Sequence, residues 1–199
     1  MSIDERFVQG ILVSNAAAYV AEKSPAELVE EALNHPINSL PLEELVKGKR
    51  NMVIITSDHT RPMPSKVTLP ILLRRIRAVN PTIDITILIA TGFHRAMTHD
   101  EMVHRFGEDI VNNEKLINHD SEDAENMVEI GTLPSGGKCV INRLAVETEL
   151  LISEGLINPH FFAGFSGGRK SVLPGIASKV ASSNFSPMGE ESNKGSTKS

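Results

Sequence analysis

The chain has 199 residues, 40% of them apolar and 23% charged, a composition typical of one soluble globular domain with a full core. Its net charge of −5 argues against a nucleic-acid-binding protein, which normally carries a basic surplus. An aromatic content of 4%, without tryptophan, argues against base-stacking surfaces as well.

Two helices are predicted ahead of the first strand. The segment Ser24-Pro25-Ala26-Glu27 is typical of a helix start, because its serine can cap, its proline fits the first helical position and its glutamate completes a capping box. This helix should reach about Leu33, and Leu42–Val46 should form a second, short helix. The β-branched run at 52–56, bounded by polar residues, then predicts a buried parallel strand.

The following segments repeat the order of strand, polar loop and helix. The loop at 57–64 leads to a helix that Ser65 should cap and that has apolar residues at helical spacing up to Val79. A second strand at 83–90 leads into a second polar loop at 91–95. The next helix should open with a capping box of Thr98 and Glu101 and end near residue 106, and further strands are expected at 128–133, 139–141 and 150–152.

This alternation predicts an α/β fold, a Rossmann-like layered domain with a mostly parallel sheet, over residues 1–180. The polar stretch 181–199 has no strong periodicity and should be a disordered tail. Ligands of such sheets bind beyond the carboxyl ends of the strands. We therefore expect the loops after the strands at 52–56, 83–90 and 150–152 to form the site.

The cellular setting is predicted from three features. Cys139 is the single cysteine, which excludes an intramolecular disulfide and favours a reducing compartment. The first residues, Met-Ser-Ile-Asp-Glu-Arg, lack the continuous apolar run of a signal peptide. No stretch approaches the ~20 apolar residues of a membrane span. We expect a cytoplasmic protein with neither a membrane nor a nucleic-acid partner.

The first polar loop places a carboxylate, a hydroxyl and a guanidinium at a strand end, on Asp58, Thr60 and Arg61. Arg61 could clamp a carboxylate with two hydrogen bonds, and Asp58 and Thr60 could contact hydroxyl or phosphate groups of a cofactor. The alternative is a turn ending in proline, with Asp58 capping its own backbone. In the second loop, His94 could act as an acid or a base, although an isolated loop histidine is more often structural.

The third loop, 158–171, reads Asn-Pro-His-Phe-Phe-Ala-Gly-Phe-Ser-Gly-Gly-Arg-Lys-Ser. It combines the imidazole of His160, several glycines and the amine of Lys170, which predicts a site for an anionic cofactor with an acid or base beside it. A P-loop nucleotide hydrolase is disfavoured, because Arg169 stands where that motif needs glycine. The open alternatives are another anion nest of backbone N–H groups and glycines that only turn the chain.

Taken together and in order, four segments resemble the nickel-dependent lactate racemase family. They are 57–62 (Ser-Asp-His-Thr-Arg-Pro), 91–95 (Thr-Gly-Phe-His-Arg), 158–171 and 173–176 (Leu-Pro-Gly-Ile). The resemblance covers roughly residues 7–178. It implies an N-terminal and a C-terminal α/β domain with the active site between them, and it places this chain in the N-terminal one.

The resemblance also implies a reaction, namely racemisation or epimerisation of a small 2-hydroxy acid by removal and return of hydride through a nickel pincer nucleotide. Lys170 would tether this cofactor covalently through a thioamide, and Arg61 would hold the substrate carboxylate. His94 and His160 would be the acid/base residues, one for each face of the substrate. Cofactor-synthesis proteins are implied partners. Further cofactor contacts are expected from Asp58, Thr60, Ser166, Gly167 and Gly168.

The chain departs from the family pattern after about residue 179. The family has a nickel-coordinating histidine shortly after Pro-Gly-Ile-Ala, whereas no histidine follows His160 here. We therefore assign no metal ligand in this chain, and we expect a truncated or frameshifted sequence whose own activity is doubtful. The competing hypothesis is a non-catalytic remnant that binds a nucleotide-like anion.

Overall fold

The structure, a computed structural model, describes residues 4, 6, 8–10, 18–160 and 164–179. Within them the helices are α1 (Pro25–Asn34), α2 (Leu42–Val46), α3 (Ser65–Val79), α4 (His99–Phe106), α5 (Glu108–Asn113) and α6 (Arg143–Glu147). The strands are β1 (Asn51–Ser57), β2 (Asp84–Ala90), β3 (Lys115–Asn118), β4 (Met127–Thr132), β5 (Lys138–Asn142), β6 (Leu151–Ser153), β7 (Pro159–His160) and β8 (Gly164–Phe165).

Four strands form the main sheet, in the order β3-β2-β1-β6. β1 pairs with β2 on one side and with β6 on the other, and β2 pairs with β3. All three pairings are parallel, because the connections between these strands cross over the sheet before the next strand begins. The predicted α/β fold with a mostly parallel sheet is confirmed. Two antiparallel pairs, β4 with β5 and β7 with β8, lie outside this sheet.

β1 and β2 are buried on both faces, which explains their nearly continuous apolar sequences. On one face, side chains including Ile54 and Ile87 pack against α2, α3, α4 and α5. On the other face, Val53 and Leu88 pack with β5, α6 and Ile176. The chain around Ile176, which follows the third predicted loop, is thereby anchored in the core.

Both predicted capping boxes are confirmed. The Ser24 hydroxyl accepts the N–H of Glu27 at 3.3 Å, and the Glu27 carboxylate accepts the N–H of Ser24 at 2.8 Å. Thr98 and Glu101 make the same reciprocal pair, at 3.3 Å and 2.9 Å, ahead of α4. These contacts satisfy N–H groups that have no partner within a helix, which is why α1 and α4 begin where the sequence predicts.

The expectation that Ser65 caps α3 is wrong. Pro64 holds the N-cap position, and the Ser65 hydroxyl instead donates to the buried carboxylate of Glu154 at 2.6 Å. Glu154 also accepts the hydroxyl of Thr56 at 2.5 Å and the hydroxyl of Thr68. Hydroxyl groups therefore take the place of water around this carboxylate, and they tie β1, α3 and the segment after β6 together.

Several short elements are absent from the sequence-based prediction, namely α5, β3, α6 and the β7–β8 pair. α5 has 6 residues, α6 has 5 and β3 has 4. Segments of this length span too few turns or alternations for a hydrophobic period to be recognised. Their conformation is set by the sheet and loops against which they pack.

His119 connects three parts of the fold below the third loop. The imidazole is 3% exposed, its Nε2 donates to the carbonyl of Ala177 at 3.1 Å, and its Nδ1 accepts the side-chain amide of Asn142 at 3.2 Å. Burial lowers the pKa of His119 below its ordinary value of 6.5. The folded protein therefore holds this ring in its neutral form.

We expect His119 to make the fold less stable in mild acid. Below pH 6.5 the unfolded chain binds a proton at this residue that the folded chain does not, so the unfolding free energy falls as the pH drops from 6.5 towards the lowered pKa. His119 contributes at most about 1.4 kcal/mol per pH unit to the slope of the unfolding free energy against pH. Urea unfolding between pH 7.5 and 5 should show a flatter dependence for His119→Gln than for the parent chain, and equal slopes would contradict this role.

The predicted disordered tail, 181–199, lies outside the described residues, and the domain boundary at residue 180 stays a prediction. Cys139 lies in β5 and is half-buried, as a strand residue. Among the described residues, no helix has both the length and the apolarity that crossing a bilayer requires.

Candidate functional site

The loops that follow β1, β2 and β6 meet around one cavity of about 310 Å³ at the carboxyl edge of the sheet. The register explains the meeting, because Ser57 at the end of β1 is paired with Ala90 at the end of β2, and β6 runs parallel to both. All the predicted site residues except Gly168 line this cavity. They are Asp58, Thr60, Arg61, His94, His160, Ser166, Gly167 and Lys170.

Asp58 holds the imidazole of His94. The Asp58 side chain is 2% exposed, and its Oδ2 lies 2.6 Å from Nδ1 of His94, whose own side chain is 46% exposed. The other carboxylate oxygen, Oδ1, accepts the N–H of Thr60 at 3.0 Å and the Thr60 hydroxyl at 2.6 Å. In a neutral imidazole, a carboxylate that accepts Nδ1–H leaves Nε2 as the unprotonated ring nitrogen, which is the atom that can act as a base.

Thr60 and Arg61 extend this arrangement along the first loop. Nη1 of Arg61 donates to the Thr60 hydroxyl at 3.3 Å and to the Thr60 carbonyl at 3.4 Å. Arg61 is half-buried and lines the cavity, so its guanidinium is placed for a carboxylate in that cavity. The alternative, that Asp58 only caps its own loop, is half correct. Its Oδ1 caps the loop, whereas its Oδ2 contacts Nδ1 of His94.

Burial and neighbouring positive charges shift the pKa values of Lys170 and His160. Burial lowers the pKa of Lys170, and the nearby charge of Arg61 lowers that pKa further. Burial also lowers the pKa of His160, with smaller effects from Lys170 and Arg61. The three groups, an amine, an imidazole and a guanidinium, therefore share one partly desolvated space, in which the uncharged forms of Lys170 and His160 are favoured.

The glycines before Lys170 allow a close return of the chain. The Ser166 hydroxyl donates to the carbonyl of Leu156 at 2.9 Å and accepts the N–H of Asn158 at 3.0 Å. Gly167 has a φ of +75°, and a Cβ there would lie 2.9 Å from the Leu156 carbonyl oxygen. Only glycine fits this position, because both the conformation and the contact exclude a side chain. The Lys170 N–H then donates to the Gly167 carbonyl at 3.1 Å.

Main-chain hydrogen bonds link the turn that carries Lys170 to the loop that carries His94. The N–H of Gly175 donates to the Lys170 carbonyl at 3.1 Å, and the N–H of Gly92 donates to the Gly175 carbonyl at 2.9 Å. A Cβ on Gly175 would overlap the Ser171 carbonyl oxygen, so this contact needs glycine. The Pro-Gly-Ile segment therefore places the second and third loops relative to each other.

Sequence reasoning missed Arg105, which supports the first loop from α4. Its guanidinium donates to the carbonyl of Asp58 at 3.0 Å and to the carbonyl of Met63 at 2.9 Å. These partners lie 47 and 42 residues away in the chain. No local signal distinguishes Arg105 from an ordinary arginine on a helix surface.

A larger cavity, of about 590 Å³, is lined by His59, Glu101 and His104 among others and contains none of the predicted site residues. Within the described residues, Nδ1 of His59 is buried without a hydrogen-bond partner. Glu101 is already engaged by Arg95 at 2.5 Å and by Thr98. The part of the chain that the structure describes holds no group of three or more His, Cys, Asp or Glu residues able to bind a metal ion. The smaller cavity is therefore the candidate site.

Comparison with known proteins identifies the family of the chain. The family described as "Lactate racemase N-terminal domain" matches residues 1–192. The chain is 61% identical over 176 residues to lactate racemase of Lactiplantibacillus plantarum, covering 88% of this chain and 42% of that protein. It is 60% identical over 175 residues to lactate racemase of Thermoanaerobacterium thermosaccharolyticum, covering 88% of this chain and 41% of that protein.

Solved structures show the same fold. The lactate racemase apoprotein from Thermoanaerobacterium thermosaccharolyticum superposes with a TM-score of 0.82 at 55% identity, over 91% of this chain and 42% of that one. A Thermotoga maritima protein superposes with a TM-score of 0.67 at 26% identity, over 84% of this chain and 42% of that one. The chain thus spans about 42% of the length of these relatives. It belongs to the lactate racemase N-terminal domain family.

Proposed function

We propose that this chain forms one wall of a racemase site for a small 2-hydroxy acid, in which Lys170 carries a nickel pincer nucleotide. The observation that supports this proposal is the convergence of an amine, a guanidinium and two imidazoles on one cavity of about 310 Å³. The names of the relatives, lactate racemase, support the same reaction. Cofactor-synthesis proteins as partners and a cytoplasmic setting belong to this proposal too.

The residues around Lys170 fit a covalently held anionic group. A lysine forms an acyl-type bond only through its neutral amine, and burial together with Arg61 lowers the pKa of Lys170 in that direction. Gly167 lines the same cavity as the Lys170 side chain. When bound, the nickel pincer nucleotide supplies the hydride chemistry at C2 of the substrate. The polypeptide supplies binding, orientation and proton transfer.

His94 and His160 provide the proton transfers. Racemisation requires a base on each face of the substrate, since the hydroxyl proton leaves from one face and returns on the other. Asp58 accepts Nδ1–H and so leaves Nε2 as the acceptor nitrogen of the neutral His94 ring. Burial and the nearby cations lower the pKa of His160, which favours its neutral form as a base. Arg61 would hold the carboxylate while the planar 2-oxo acid turns over, which keeps C2 in reach of both rings.

Replacing Asp58 by asparagine should lower kcat by about 10²–10⁴-fold, with a smaller effect on KM. The side-chain amide of asparagine lacks the negative charge that stabilises Nδ1–H of His94. Its NH2 group can instead donate to Nδ1, which favours the tautomer with the proton on Nε2, pointing into the cavity. Initial racemisation rates of a 2-hydroxy acid, followed by polarimetry, measure this. Asp84→Asn is the matched control, because Asp84 is an exposed carboxylate at the opposite end of β2. An unchanged kcat for Asp58→Asn would exclude this role for the carboxylate.

The proposal is tested by expressing the chain in cells that make the cofactor and measuring its intact mass. A covalent increment that maps to Lys170 is expected. Racemisation is then assayed for the chain alone and together with the C-terminal part of the Lactiplantibacillus plantarum relative. The alternative is a non-catalytic domain that binds a nucleotide-like anion. An increment without racemisation in either assay would support that alternative, and no increment would overturn the proposal.

A further inference from the structure

The candidate cavity brings together three groups that a second reaction would use. Arg61 comes from the loop after β1, whereas His160 and Lys170 come from the segment after β6. All three are half-buried and line the same cavity. Its volume of about 310 Å³ lies at the lower end of small-molecule sites, which hold about 300–1,000 Å³. The occupant should therefore be small.

The amine of Lys170 is in a setting that favours nucleophilic attack. Lysines that react with carbonyl groups are desolvated or lie next to another cation, since both conditions favour the neutral amine. Lys170 has both, because it is partly buried and Arg61 lies close enough to lower its pKa further. His160, whose pKa is lowered by burial and by the same cations, is beside it as a neutral proton acceptor.

We propose that Lys170, when it carries no cofactor, condenses reversibly with a small 2-oxo acid whose carboxylate pairs with Arg61. The choice of a 2-oxo acid rests on the proposed function, because it is the oxidised form of the proposed substrate. The guanidinium would fix the carboxylate and thereby present the adjacent C2 carbonyl to the amine. The same cavity would then bind the 2-oxo acid covalently without any cofactor.

The condensation balances without an oxidant or a reductant. The neutral amine of Lys170 attacks C2, the N–C bond forms, and the carbonyl electron pair moves to the oxygen. His160 takes one proton from the nitrogen and passes it to that oxygen, which gives a carbinolamine. His160 then carries the second N–H proton to the C2 hydroxyl, which leaves as water while the C=N bond forms. The product is an imine between Nζ and C2, and addition of water reverses the step.

Pyruvate with sodium cyanoborohydride tests the proposal on the unloaded chain, because the hydride reduces the imine to a stable secondary amine. Peptide mapping by mass spectrometry compares Lys170 with exposed Lys66 in the same molecule. We expect Lys170 to be labelled at least about tenfold faster than Lys66 with pyruvate. Acetone, which lacks the carboxylate, should show a clearly smaller preference for Lys170. Equal labelling of the two lysines by pyruvate would overturn the proposal. Because both lysines belong to the parent chain, this result does not depend on the folding of any variant.

Arg61→Ala should lower pyruvate labelling of Lys170 by about tenfold or more, the size expected for one lost charge-assisted hydrogen bond, and leave labelling of Lys66 unchanged. Labelling of Lys170 at the parental rate in that variant would exclude the pairing of the carboxylate with Arg61 and so overturn the proposal. The two proposals fail separately. A chain that gains the cofactor in cells but resists pyruvate overturns only the imine, whereas one that labels but never gains the cofactor overturns only the racemase.

Discussion

Replacing Lys170 by arginine should abolish covalent cofactor attachment and, with it, all racemisation by the loaded site. Arginine keeps the positive charge and much of the length of the side chain, but its guanidinium stays protonated and is not a nucleophile. The main-chain bonds of the Lys170 turn to Gly167 and Gly175 do not involve the side chain, so the turn should persist. After expression with the cofactor-making proteins, intact-mass measurement should show the covalent cofactor increment on the parent chain and none on Lys170→Arg.

Lys138→Arg is the matched control for this experiment. Lys138 pairs with Glu129 at 2.7 Å on the β4–β5 hairpin, outside the lining of the candidate cavity. Its replacement should leave both the mass increment and the racemisation rate at parental values. An increment that survives in Lys170→Arg would move the attachment to another residue and remove the central support of the proposed function.

Replacing His94 or His160 by alanine should each reduce racemisation by about 10²–10⁴-fold, the usual contribution of a positioned acid or base. The two variants should differ in what remains. Each keeps one base and can still take the hydroxyl proton from one enantiomer, so a single-turnover experiment should release 2-oxo acid from opposite enantiomers in the two variants. Rapid quenching followed by chromatography of each pure enantiomer measures this difference.

His104→Ala serves as the control, since His104 is an exposed histidine of α4 that does not line the candidate cavity. Thermal unfolding of all variants separates lost chemistry from lost folding. Neither ring is part of the apolar core, so both variants should still fold. His94→Ala should lose more in melting temperature than His160→Ala, because it removes the imidazole partner of the buried Asp58 carboxylate. Parental racemisation by both His94→Ala and His160→Ala would remove the acid/base assignment altogether.

The order of strands and helices could be read from the sequence because the signals are local. β1 and β2 are apolar runs bounded by polar residues, and α1 and α4 each begin with a capping box whose members are three residues apart. Parallel strands then require crossover connections, which leads to the layered α/β fold. Ser65 shows where local reasoning fails, because its hydroxyl found a stronger acceptor in Glu154, 89 residues away.

The candidate site, too, has features that the sequence predicts and features that only the structure shows. The sequence alone predicted which residues would carry chemistry and which strand ends would hold them, because motif order and the direction of parallel strands are properties of the chain. Only the tertiary structure paired Asp58 with His94 across 36 residues, and only it joined Lys170 to the second loop through Gly175. Such contacts depend on the sheet register and on the return of the chain after β6. Those are decided by packing of the whole domain, which no local pattern encodes.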